Sequence, residues 1–142
     1  MSDSFRREEG PPIDLAPGVP YAYAAETRSR PILVFTAGAC PLDDSGATVA
    51  VGDVAAQAET VMANLRNALP SAGARLVDVV KSTVYVASSD RADLVAAWRV
   101  VHRHLGSRQP PSTLLGVSAL GYPDQLVEVE AIAALVETRQ EL

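Results

Sequence analysis

The 142-residue chain carries one cysteine and one lysine. A lone Cys40 forms no intrachain disulfide, so the fold has to be held by its core rather than by staples, outside any oxidising compartment. Lys81 is the single lysine among 12 basic residues, set against 17 acidic ones for a net charge of -5. Nucleic-acid binding rests on clustered Lys and Arg that neutralise phosphates. Here the arginines gather only at Arg6-Arg7, at Arg28 and Arg30, and between Arg99 and Arg108, with no aromatic residues interleaved. A polyanion is therefore disfavoured as a partner. No apolar run approaches the ~20 residues of a membrane span, and MSDSFRREEGPP lacks the apolar core of a signal peptide. The expectation is a soluble cytoplasmic protein with no membrane partner.

The composition that remains is globular: 48% hydrophobic and 20% charged residues, enough for one core without metals or disulfides. Residues 1–19, with Gly10-Pro11-Pro12 and Pro17, read as a flexible lead-in, 20–137 as the domain and 138–142 as a tail. Tyr21 to Thr27 and Ile32 to Ala37 read as two strands of a hairpin turned at Arg28-Ser29-Arg30-Pro31. Pro41 and Asp43-Asp44-Ser45-Gly46 end the second strand. From Asp53, an N-cap candidate, Val54, Ala58, Val61, Met62, Leu65 and Leu69 recur at helical spacing until Pro70, with Gly73 available for the reversal. Val79 to Val86, within 76–88, is alternating and β-branched, which predicts a third strand. Ser88-Ser89-Asp90 opens a second helix marked by Leu94, Trp98, Val101 and Leu105 and closed near Gly106. Strands at Thr113 to Val117 and Leu126 to Ala134 complete a ββαβαββ order. The predicted class is α+β, one mixed sheet with both helices on one face.

The last strand carries the sharpest pattern. Val127, Val129, Ala131 and Ala133 share one side, while Glu128, Glu130 and Ile132 share the other. Same-face neighbours lie about 6.6 Å apart, so the two acids either repel in a confined space or face water, a partner chain or a ligand. With both helices on the apolar side, the acidic side is open. Ile132 on that side predicts that a second copy covers part of it.

Pro20-Tyr21, Thr36-Ala37-Gly38-Ala39-Cys40-Pro41-Leu42-Asp43, Gln57 through Gly73 into Asp78 to Val86, and Val127-Glu128-Val129-Glu130-Ala131-Ile132-Ala133 occur in one order at one spacing. As an ordered set over residues 20 to 136, they resemble the Rid family (RidA/YjgF, reactive-intermediate deaminases, with the older label endoribonuclease L-PSP). The resemblance implies a chorismate-mutase-like homotrimer with open sheet faces around the three-fold axis. It implies a small-molecule ligand in each intersubunit cleft, and hydrolysis of enamines or imines such as 2-aminoacrylate with no cofactor and no metal. The family's substrate-clamping arginine, in P-A-R-[ST], falls on Ser112 of Pro110-Pro111-Ser112-Thr113. Its S-G-Q motif becomes Ala37-Gly38-Ala39, a helix asparagine falls on Trp98, and a cysteine two residues after the arginine falls on Leu114. The implied substrate-binding set is Tyr21, Gly38, Ala39, Trp98, Ser112, Thr113 and Leu114, with Glu128 as the catalytic acid.

A serine supplies neither the charge nor the bidentate fork of a guanidinium. That makes a carboxylate-bearing imine a poor substrate and favours an uncharged or aromatic one, since Trp98 and Leu114 add apolar area. Arg108, four residues before Ser112, or an arginine from a neighbouring subunit is a candidate replacement for the clamp. The plainer readings stay open: Trp98 as a helix-to-sheet core residue, Tyr21 as a packed strand aromatic, Cys40 as a small buried hydrophobe, and Glu128 as an interface acid paired with an arginine. Ser112 has no base near it in sequence. His102 and His104, two apart on a helix, point to different sides and suit no metal site. The alternative function is a non-catalytic trimer that binds a small ligand or another protein. Ribonuclease activity, suggested by the older label, is disfavoured by the acidic charge.

Overall fold

Local sequence signals set the element boundaries in the computed structural model, which describes residue 25 and residues 30–136. The strand expected at Tyr21 to Thr27, and Tyr21 itself, lie outside the described residues. The described order is β1 (Pro31–Phe35), α1 (Val54–Ala68), β2 (Val79–Val86), α2 (Arg91–Leu105), β3 (Ser112–Gly116) and β4 (Val127–Val136). Asp53 caps α1 by accepting from the Ala56 amide at 3.0 Å, and Asp90 caps α2 by accepting from Ala92 at 2.9 Å. A short 3-10 turn, Leu69–Ala72, follows α1 with Pro70 near its start, and left-handed Gly73 (φ 78°) closes it. Proline cannot donate to the previous turn, and glycine accepts the reversed φ without a Cβ clash.

The sheet runs β1-β4-β2-β3, with β1/β4 and β4/β2 antiparallel and β2/β3 parallel. It is therefore mixed, as expected, with four strands among the described residues. Ser82, Val84 and Val86 of β2 and Val127, Val129, Ala131 and Ala133 of β4 are buried on one face against Val54, Ala58, Val61, Met62, Leu65, Val100 and Val101 of the helices. At about 25 cal/mol per Å² of apolar area removed from water, this cluster supplies the main favourable term. The second helix turns its expected face to the core, with its centre shifted toward the smaller residues. Ala97 and Val100 are buried with Val101 and Leu105, whereas Leu94 and Trp98 are only partly so. The indole lies at the margin of the core, its ring centroid 5.9 Å from that of His102. His104 instead turns to α1 and donates to Glu59 at 2.6 Å, beside the Glu59–Arg103 ion pair. Burial and the charges of Arg103 and Arg66 hold His104 below the usual imidazole range. Among the described residues no helix is long and apolar enough to cross a membrane.

The other face carries Lys81, Thr83 and Tyr85 of β2, Glu128, Glu130 and Ile132 of β4, and Leu33 and Phe35 of β1. Phe35 is 69% exposed and Leu33 48%. A cavity of about 170 Å³ on this face is lined by Phe35, Thr36, Lys81, Thr83, Glu130 and Ile132.

One buried polar side chain joins the layers to the loop before β4. Gln57, wholly inaccessible on α1, donates from Nε2 to Asp124 O at 2.9 Å and Ala50 O at 3.4 Å, and its Oε1 accepts from the Leu126 amide at 2.8 Å. Replacing it by leucine strands those backbone groups, at ~1–3 kcal/mol for each unpaired buried group. Gln57→Leu is expected to lose roughly 3 kcal/mol in total and to melt roughly 10 °C lower. Thermal denaturation followed by circular dichroism checks this, and an unchanged midpoint would show that the loop is held by other contacts.

Candidate functional site

The site grows from the way the chain leaves β1. Thr36 stays paired to β4, donating its amide to Ala131 O at 3.0 Å and accepting the Ala131 amide on Oγ1 at 2.9 Å. Ala39 pairs next, exchanging backbone bonds of 2.7 and 3.2 Å with Val129. Between these two anchors Gly38 crosses directly over Glu128. A Cβ built on Gly38 would overlap Cδ of Glu128 and stand 2.5 Å from Oε2 and 2.6 Å from Cγ. The carboxylate occupies the space that the missing side chain leaves. From the helix side, Asn64 Nδ2 donates to Cys40 O at 2.8 Å and Leu42 O at 3.0 Å, so the segment is held from both layers.

Two side chains converge on one oxygen of Glu128. Cys40 Sγ donates to Oε1 at 3.1 Å and Gln125 Nε2 to the same atom at 3.2 Å. Among the described residues Oε2 has no hydrogen-bond partner. Burial, then the hydrogen bond to Glu128 and its charge, push the Cys40 thiol up to about 11. It is thus a protonated donor at neutral pH and a poor nucleophile. Glu130 has a partner of its own: Tyr85 Oη donates to its Oε1 at 2.6 Å, and this bond is the first cause holding the tyrosine above its ordinary range. The two acids share a strand face, as the alternation predicts, yet each is bound by different donors.

The remaining expected site residues lie elsewhere. Ser112 is in register with Ser82 on the helix-covered face, and their hydroxyls are 2.5 Å apart. Ser112 Oγ also donates to Pro110 O at 3.0 Å. Leu114 shares that face and, with Trp98 of α2 and Ala39, packs against the core. Thr113 points to the open face, where Lys81 Nζ donates to its Oγ1 at 2.9 Å. Arg108 donates to Val77 O at 3.3 Å. Within one chain, then, Gly38 and Glu128 come together, while Ser112, Leu114 and Trp98 belong to the opposite side of the sheet. Gln125 and Tyr85 did not stand out in the sequence. Tyr85 meets Glu130 only through the β2–β4 register, and Gln125 sits in a loop without periodicity. The one signal for Gln125 was its place three residues ahead of Glu128. No three His, Cys, Asp or Glu side chains among the described residues are grouped to hold a metal ion.

The family model for endoribonuclease L-PSP matches residues 14–135. The chain belongs to this family, which the Rid and RutC proteins share. Among its relatives, the 3-aminoacrylate deaminase RutC of Acinetobacter baylyi is 33% identical over 125 residues, spanning 88% of this chain and 92% of that protein. A 2-iminobutanoate/2-iminopropanoate deaminase of Salmonella typhimurium is 31% identical over 115 residues, spanning 80% and 86%. The crystal structure of the Rid protein YyfB from Yersinia pestis superposes with a TM-score of 0.77 at 33% identity, covering 87% of this chain and 95% of that one. The resemblance read from the ordered motifs and the two-layer L-PSP fold are both upheld.

The thiol beside Glu128 gives a direct probe of this arrangement. The rate of Cys40 alkylation is expected to rise with a midpoint near pH 11. In Glu128→Gln it should rise at lower pH, because the charge opposing the thiolate is gone. Stability follows the same linkage: a raised folded pKa means that the thiol's contribution is complete below about 9, its ordinary value, and is lost as pH climbs toward 11. Alkylation in the ordinary thiol range would contradict the Cys40–Glu128 contact.

Proposed function

We propose that this L-PSP family chain is a cofactor-independent hydrolase of carbon–nitrogen double bonds, acting on a small enamine or imine with Glu128 as the proton-transfer group. The observation that carries this reading is the Glu128 carboxylate itself, seated under Gly38 with two donors on Oε1 and none among the described residues on Oε2. Two relatives named as deaminases of aminoacrylate and iminobutanoate support the reaction class.

The chemistry balances without a further reactant. Protonated Glu128 gives its proton to the enamine carbon. The C=C electron pair forms the new C–H bond, and the nitrogen lone pair completes an iminium. Water adds to the iminium carbon and returns a proton to Glu128. The carbinolamine then loses ammonia, leaving a carbonyl compound. A positioned carboxyl group contributes ~10²–10⁴-fold in such a transfer.

Substrate preference turns on Ser112. Its hydroxyl is engaged by Ser82 and Pro110 and carries no charge, so a carboxylate placed there forgoes a bond to a charged donor worth ~1.5–3 kcal/mol, or about one to two decades of affinity. Neutral or aromatic imines are the favoured substrates, and 2-aminoacrylate is not. The reading places the reaction in a cleft between subunits of a homotrimer. In support, Glu128 and Gly38 lie on the open face with exposed Phe35 and Leu33, whereas Ser112, Leu114 and Trp98 lie across the sheet. A second chain is needed to bring the two groups to one ligand.

The test is ammonia release over a panel of neutral and acidic imines generated in situ. Turnover should favour the neutral members and fall at least a hundredfold in Glu128→Gln, in line with the loss of a general acid. If no imine is converted and the substitution alters only oligomer stability, the catalytic reading fails. A compound that raises the melting temperature and is never converted would identify a binding protein instead.

A further inference from the structure

We propose that Gln125 and Cys40 are positioning residues that make the two oxygens of Glu128 unequal, reserving Oε1 as an acceptor and leaving Oε2 to carry and transfer the proton. This rests on the reading of Glu128 as the proton-transfer group.

The orientation of Gln125 is fixed by its own bonds. The residue is 4% exposed. Its Oε1 accepts from the Tyr122 amide at 3.1 Å, and its Nε2 divides between Val127 O at 3.1 Å and Glu128 Oε1 at 3.2 Å. Turning the amide over would set its oxygen against a carbonyl and a carboxylate, and its NH₂ against an N–H. Gln125 therefore always presents a donor to Glu128 and has no means of receiving a proton from it. The thiol of Cys40, opposite Glu128 across the Ala39–Val129 bridge, occupies a second position on the same oxygen. A carboxylate oxygen accepts about two bonds, so Oε1 is filled by groups that give hydrogens. A proton on Oε1 would have to displace one of them, whereas Oε2 takes it freely.

Other titratable groups facing Glu128 do not compete for that oxygen. Tyr85, its cross-strand neighbour on β2, commits its hydroxyl to Glu130, and Glu130 lies two residues along β4. The two donors also lock the carboxylate plane, so that Oε2 stays against Gly38, in the space that a Cβ would otherwise fill.

The test uses the full chain with Gln125→Met, Cys40→Ala and Cys40→Ser, each compared with the unsubstituted protein on the best neutral imine of the panel and by crystallography. Losing one donor should lower kcat about tenfold or more in Gln125→Met and Cys40→Ala, with KM changed less than about twofold. Cys40→Ser restores a donor and should recover most of kcat, which a merely space-filling cysteine would not require. In the structures of Gln125→Met and Cys40→Ala the carboxylate should leave its place under Gly38. An unchanged kcat in both variants, a rise in KM alone, or equal losses for Cys40→Ser and Cys40→Ala would overturn the proposal. If Gln125→Met does not fold, the two Cys40 variants decide it. Should the unsubstituted protein convert no imine, the proposed function fails on that result, while the carboxylate position in the variants still decides the positioning roles. An unmoved carboxylate then overturns them.

Discussion

The amide of Gln57 is the constraint on which the rest of the site depends. It is a polar group with no access to water, so every one of its bonds has to be made inside the protein. Two of the three backbone groups it binds belong to residues with left-handed φ that are not glycine: Ala50 at 49° and Asp124 at 59°. Such conformations cost about 1 kcal/mol or more and persist only where the surroundings fix them. Helix α1, itself held by the core, thus imposes the shape of the turn before β4. Gln125 lies between Asp124 and Leu126, both bonded to that amide. Its placement under Glu128 follows from a helix residue on the far side of the sheet.

The same logic links the core to the acid from the other direction. Asn64, two turns along α1 from Gln57, holds Cys40 and Leu42 through their carbonyls. Two amide side chains on one helix therefore fix both of the segments that supply donors to Glu128. Neither amide touches the carboxylate. A carboxylate on a strand has several staggered rotamers of similar energy. The restriction to one comes from backbone segments that α1 holds in register, plus the void at Gly38. Stability and site geometry are coupled through this helix, because Gln57 and Asn64 bind the backbone segments that carry Gln125 and Cys40.

The sequence showed the elements and missed the pairings for one physical reason. Period and capping are local: Asp53, Pro70, Gly73 and Asp90 sit where the chain itself requires them, and alternation in β4 separated Val127 and Val129 from Glu128 and Glu130. Contact across strands is not local. That Tyr85 caps Glu130, or that Ser112 meets Ser82, depends on which residues oppose each other in an antiparallel and a parallel pairing, and a register slip of one residue would reverse every face. Cys40 reads as a small hydrophobe in the sequence because a free cysteine usually is one. Its role appeared only when the Ala39–Val129 bridge set it against Glu128. On α2, Val101 and Leu105 are buried and Leu94 and Trp98 pack at the margin of the same core, but period alone does not show that the smaller Ala97 and Val100 go further inside.

The division of residues between the two faces carries the strongest structural implication. Strand residues alternate, so Ser112 and Leu114 cannot turn to the open face without taking Thr113 from Lys81 and breaking the Ser82–Ser112 register. Glu128 likewise cannot turn inward without forcing Val127 and Val129 out of the core. Each set is held by the same burial that holds the sheet. A ligand touching both sets in one chain would have to pass through β2 or around β3, the edge strand. Exposed Phe35 and Leu33 lie on the same open face as Glu128. The separation of the serine from the acid is thus a property of the sheet's alternation, fixed by the same burial that fixes the fold.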